Sequence, residues 1–184
     1  MSRRLKVLIS AYACEPGKGS EPEVGWQLAL HLAKFHDVSV LTRANNQPTI
    51  EAGLAKYSGA RPSFIYYDLP AWVLALKRRG LPIAVYYFFW QIGARLFTGG
   101  RLGEFDLIHH ATFNSFRNPG FWWFCPKPVV IGPLGGGQIC PWRFLPWFRK
   151  QIIHELLRSL SGRGCSAWNG LTRFMQAGIG CLNW

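Results

Sequence analysis

Leu5-Lys-Val-Leu-Ile-Ser-Ala-Tyr12, the loop Ala13-Cys-Glu-Pro-Gly-Lys-Gly19, the opening Ser20-Glu-Pro-Glu23 and the run Asp37-Val-Ser-Val-Leu-Thr42 together decide the fold. The first piece is a short apolar run bounded by charge and glycine, the pattern of a buried strand. Ser20 and Glu23 have the spacing of a capping box, so a helix is expected to open at Ser20 with Pro22 tolerated in its first turn. Val24, Leu28 and Leu32, with Ala29 and Ala33, set an apolar stripe at helical spacing. Asp37 to Thr42 is a second strand. Strand, loop, helix and strand within residues 5–42 make a βαβ unit, which requires a parallel sheet and a right-handed crossover.

The same alternation continues outward. Ile50 to Tyr57 reads as a short helix, Ser63 to Tyr67 as a third strand, and 71–98 as two helical pieces broken around Gly80-Leu-Pro82. Phe105 to His110 and Pro128 to Gly132 read as strands four and five, and Pro146 to Leu160 as a further helix. The expected fold is α/β: one Rossmann-like, doubly wound parallel sheet over residues 1–160. Residues 161–184 show neither helical nor strand period and are expected to form an irregular tail. One reading of that tail is a larger protein cut by truncation or a shifted reading frame; the other is a loosely packed native end.

Composition narrows the function. The chain has 184 residues, 49% of them apolar and 16% charged, which supports a buried core and excludes global disorder. Lys and Arg number 21 against 9 Asp and Glu, a formal charge of +12. The excess is +2 over residues 1–70 and +5 in each of 71–139 and 140–184, where most aromatics also lie. Such a surface suits nucleic acid, anionic lipid or a phosphorylated substrate, or is a plain solvated basic face. Nucleic acid is disfavoured, because no RNP or helix-turn-helix pattern occurs. Five cysteines without a C-x-x-C pair point to a reducing cytoplasm. The run Val7 to Ala13 is too short for a secretory core, and Leu81 to Phe97 is broken by Pro82, Gln91 and Arg95. The expected location is cytoplasmic, peripheral on the inner face of a membrane at most.

Three constellations carry candidate chemistry. Gly17, Gly19, Ser20, Glu21 and Gly25 surround a helix N-terminus after strand one. Free amides there favour an anion, whereas Glu21 and Glu23 would compete with it and instead accept hydroxyls from a sugar. The run is neither a dinucleotide fingerprint, since Pro22 stands where the third glycine belongs, nor a Walker loop. A well-capped glycine turn is the alternative. His109 and His110 end strand four and are followed by Thr112, Asn114 and Arg117. A histidine pair at a strand's carboxyl end is either a polar site or a packed pair. No Ser-His-Asp arrangement can be read there, and no metal site, for want of a third ligand. Gly135, Gly136 and Gly137 follow strand five and read as close backbone approach, a hinge or a flexible turn. The three constellations meet at one sheet edge if strands one, four and five are neighbours.

The blocks Ile9 to Trp26, Phe105 to Arg117 and Ile131 to Gly137 resemble the N-terminal domain of group-1 glycosyltransferases, the family-four retaining enzymes of the GT-B class. The likeness runs from about residue 5 to about residue 160. It implies an acceptor-side domain that faces a second domain, absent here, holding a nucleotide-sugar. It implies a saccharide or lipid-linked acceptor and no metal or other cofactor. The glycine loop and the strand-four histidines would line the cleft. Many relatives carry His-x-His at strand four; here the third position is Ala111, so which of His109 and His110 serves as the catalytic histidine stays open. Glu15 and Glu23 fit the E-x7-E spacing of a donor site, but they lie in the wrong half for it. The rival readings are a non-catalytic α/β binding module and a basic membrane-surface-binding protein.

Overall fold

The computed structural model describes residues 3–114 and 120–134. These lie in one compact unit, Met1–Gly135. Five parallel strands form the sheet: β1 (Lys6–Ser10), β2 (Asp37–Thr42), β3 (Ser63–Tyr66), β4 (Leu107–His110) and β5 (Val129–Ile131), in the order β3-β2-β1-β4-β5. The connecting helices are α1 (Ser20–Ala33), α2 (Gln47–Ala55), α3 (Ala71–Arg78) and α4 (Ile83–Phe97). The fold is the expected Rossmann-like α/β sheet, and strands one, four and five are adjacent. The helix read at 146–160 and the tail at 161–184 lie outside the described residues.

Alternation along β1 builds the two layers. Val7 and Ile9 face α1 and α2, packing with Trp26, Ala29, Leu30, Val40 and Ile50. Leu8 faces the other way and joins Leu41, Tyr86, Trp90, Ile108 and Trp122 beneath α3 and α4. Every one of these side chains is buried. The indole N–H of Trp122 donates to Ser10 Oγ at 2.9 Å, so that inward hydroxyl is satisfied.

Helix α1 departs from its expected form twice. Ser20 is not the cap: it is the first helical residue, with φ 48°, and Gly19 holds the N-cap position without a side-chain hydrogen bond. Glu23 reaches back past Ser20 and accepts the Gly17 N–H at 2.6 Å. The buried face is also rotated. Gly25, Trp26, Ala29, Leu30 and Ala33 are buried, Leu28 and Leu32 only half-buried, and Val24 is 40% exposed. Two neighbouring stripes of comparable hydrophobicity compete on this helix. Packing chooses the one that lets Gly25 touch the loop after β1 and stacks Trp26 on Phe64, 6.2 Å between rings.

Gly25 is therefore a packing glycine. A Cβ there would collide with the Ala13 carbonyl oxygen and stand 3.0 Å from Thr112 Cγ2. Replacing Gly25 by Ala should destabilise the fold by about 1–3 kcal/mol, the usual cost of overpacking against backbone. Chemical denaturation checks this; a variant as stable as the parent would show that α1 can slide.

Candidate functional site

The loops after β1, β4 and β5 gather at the carboxyl edge of the sheet, and specific bonds hold them together. Thr112 Oγ1 accepts the Ala13 N–H at 3.1 Å, fastening the loop after β4 to the loop after β1. Glu21 Oε2 accepts the Phe113 N–H at 3.1 Å, fastening α1 to the same β4 loop. Ser20 and Phe113 both hold left-handed backbone, φ 48° and 58°. Strain of this kind at non-glycine residues gathers at functional sites, and here it sits at both ends of one helix–loop contact. Gly17 and Gly19 also have positive φ, and a Cβ on either would meet nothing within 4 Å. Their backbone faces open space, so they shape the loop rather than make room against a neighbour.

The strand-four histidines have separate environments, as alternation requires. His110 is fully buried beneath α4, with Nε2 3.3 Å from the Tyr87 hydroxyl, which itself donates to the Thr112 carbonyl at 3.2 Å. Burial pushes its pKa down to about 4, the Ser10 carbonyl opposing and His109 assisting. His109 is half-buried, and its Nε2–H donates to the Gly132 carbonyl at 3.0 Å. Burial lowers its pKa too, with the Gly132 bond pulling the other way. His110 is thus a neutral core residue, and His109 is the one of the pair nearer solvent. Asn114 is buried, with its amide donating to the His110 carbonyl. Arg117, Gly135, Gly136 and Gly137 lie outside the described residues.

Several residues reach this edge that spacing alone does not flag. Tyr12, just past β1, touches Tyr87, Trp90 and Phe113 at 4.9–5.1 Å between rings. The Arg43 guanidinium covers the Tyr12 ring at 4.4 Å, and Arg43 Nε donates to the Tyr12 carbonyl at 3.1 Å. Glu15 is buried and pairs with Lys18, with Arg43 3.9 Å away. Cys14, buried beside Glu15 and Glu23, has its thiol pushed up to about 12, chiefly by burial, which leaves it unreactive at neutral pH. The common signal is position: Tyr12, Arg43 and Asp68 each follow a strand's carboxyl end within two residues, where α/β sheets bind ligands. Among the described residues no three His, Cys, Asp or Glu side chains gather as metal ligands.

The buried histidine has a pH signature. Between about pH 4 and 6.5 the unfolded chain binds a proton at His110 that the folded chain does not. Stability from this group is therefore full above pH 6.5 and lost as pH falls to 4, about 3 kcal/mol in all, with His109 adding in the same direction. The slope of stability against pH over that window should flatten in His110→Gln relative to the parent, as read from denaturant midpoints. An unchanged slope would place the proton uptake elsewhere.

Compared with family models, with curated proteins and with solved structures, the chain shows no match to any of them.

Proposed function

We propose that this domain is the acceptor-side half of a retaining glycosyltransferase, one that moves a sugar from a nucleotide-sugar to a saccharide or lipid-linked acceptor. The observation that carries the reading is the Glu21–Phe113 bond, which ties the start of α1 to the loop after β4 with left-handed backbone at Ser20 and Phe113. Glu21 is exposed, and among the described residues only the Phe113 amide takes one of its oxygens, so the other is placed to accept a sugar hydroxyl. The family resemblance of those same loops gives the reaction class.

In this reading a second α/β domain holds the nucleotide-sugar, and this chain by itself turns over donor slowly or not at all. The reaction proceeds through positioning and electrostatic stabilisation of an oxocarbenium-like state, with the donor diphosphate as leaving group. The present residues orient the acceptor. Saturation-transfer NMR on the full chain, against a panel of neutral and lipid-linked saccharides, tests it. Binding of a saccharide should weaken about tenfold in Glu21→Gln, the scale of a hydrogen bond to a charged group, with the melting temperature little changed because the amide oxygen still accepts the Phe113 N–H. A panel that yields no ligand, or a ligand indifferent to Glu21, would overturn the reading.

A second observation favours a membrane-resident acceptor. Residues 71–103 contain five Lys and Arg and no acidic residue. The exposed surface of α3 and α4 includes Trp72, Ile83, Phe88, Phe89, Leu96 and Phe97, each at 41–73%. No described helix is long and apolar enough to cross a membrane, so this face would rest on a surface rather than span it. Each basic group near an anionic bilayer contributes about 1 kcal/mol, screened by salt. The chain should sediment with phosphatidylglycerol vesicles at low salt and release at moderate salt. Equal sedimentation with phosphatidylcholine would remove the electrostatic part of the argument.

A further inference from the structure

Beside the candidate site, on the β2–β3 side of the sheet's carboxyl edge, lies a cavity of about 410 Å3 lined by Arg43, Asp68, Lys77, Arg78 and Tyr86 among others. Its charges do not balance. Three cations face one carboxylate, and both oxygens of that carboxylate are already engaged: Asp68 Oδ1 accepts the Tyr86 hydroxyl at 2.9 Å and Oδ2 accepts the Ala44 N–H at 3.1 Å. Among the described residues neither Lys77 nor Arg78 has a carboxylate within 4.0 Å, and the nearest to Arg43 is Glu15 at 3.9 Å.

The cations are also held in place. Arg43 is fixed by the Tyr12 carbonyl and by Asn46 Oδ1 at 3.3 Å. The Lys77 ammonium lies over the Tyr86 ring at 4.1 Å and 3.4 Å from the Tyr12 hydroxyl. Surface lysines roam; this one is pinned between two aromatic rings and aimed into the cavity, so little ordering entropy remains to be lost on binding.

We propose that the cavity is an anion site that takes a phosphate group, with Lys77 and Arg43 as its principal contacts and Arg78 at its rim. Arg43 offers the guanidinium N–H groups that Tyr12 and Asn46 do not take and Lys77 a point charge, both suited to the oxygens of a tetrahedral oxyanion. Partial burial and the neighbouring Arg43 charge lower the Lys77 pKa, against the pull of Asp68, and a bound phosphate would reverse that shift. Tyr12 joins the cavity to the loops described above, since its ring touches both Arg43 and Phe113. If the transfer reaction proposed above holds, its acceptor therefore carries a phosphate. The site itself does not depend on that reading.

The test uses the full chain and two soluble probes, inorganic phosphate and glycerol 3-phosphate, titrated at constant ionic strength. Calorimetry reads binding, and acylation of the Lys77 amine by an N-hydroxysuccinimide ester, followed by mass spectrometry, reads location. Either probe should slow acylation at Lys77 several-fold and leave exposed Lys34 unaffected. Lys77→Met should weaken binding about tenfold, and Lys77→Arg should restore most of it. Dihexanoyl phosphatidic acid, below its micellar concentration, separates the sources. Tighter binding than glycerol 3-phosphate identifies a lipid headgroup as the source, and equal binding a soluble phosphate. No heat and no protection with any probe, or unaltered binding by Lys77→Met, overturns the proposal. A chain that binds phosphate through Lys77 but binds no saccharide would sink the transferase reading alone, and one that binds a saccharide through Glu21 but neither phosphate probe would sink the anion site alone.

Discussion

The approach of α1 to the loop after β1 is the constraint on which the rest of the edge depends. With no side chain at Gly25, the helix backbone lies against the Ala13 carbonyl and the Thr112 methyl. That proximity brings Glu21 within reach of the Phe113 amide and lets Thr112 take the Ala13 N–H. Remove the contact and three elements lose their common anchor: the helix start, the β1 loop and the β4 loop. The left-handed backbone at Ser20 and Phe113 is tolerated because these bonds over-determine it.

Tyr12 performs the corresponding task on the other side. Its carbonyl accepts from Arg43 Nε and Asn46 Nδ2, and its ring packs among Tyr86, Tyr87 and Trp90. One residue thus couples the end of β1 to the segment after β2 and to α4. The two proposed sites share this wall, which makes them neighbours through a single aromatic ring rather than through a chain of contacts.

Much of the fold is legible in the sequence because its signals are local. The strand Asp37–Thr42 has the bounds that its apolar run suggests, and the break between α3 and α4 falls at Gly80-Leu-Pro82, where proline and glycine forbid a continuous helix. The buried face of α1 is not legible, since Val24-Leu28-Leu32 and Trp26-Ala29-Leu30-Ala33 are both plausible stripes and only the partner surface chooses. The capping box at Ser20 is likewise a local rule overruled by tertiary geometry: the tie to Phe113 accompanies a φ of 48° at Ser20, and the N-cap position falls to Gly19. Of the candidate site, the glycine loop and the strand-four segment can be found from strand ends and helix starts. In the cluster of Arg43, Asp68 and Lys77, the first two follow strand ends, but Lys77 lies within α3 and no spacing ties it to them.

The two faces of the sheet also differ in how far along the chain they must reach. The layer over Val7 and Ile9 closes with residues up to Tyr57, apart from Phe64, Tyr66, Leu107 and Ala111. The layer over Leu8 and Tyr12 needs Val73, Tyr86, Trp90, Ile108 and Trp122. Loop closure costs more entropy as separation grows, and contacts between distant residues form late. A nascent chain can therefore complete its α1–α2 side early, while the layer over Leu8, Tyr12 and Leu41 is complete only once Trp122 has left the ribosome. The side that carries the cation-lined cavity is the last to be assembled, and it is the side on which a folding chain is most open to chaperones and to aggregation.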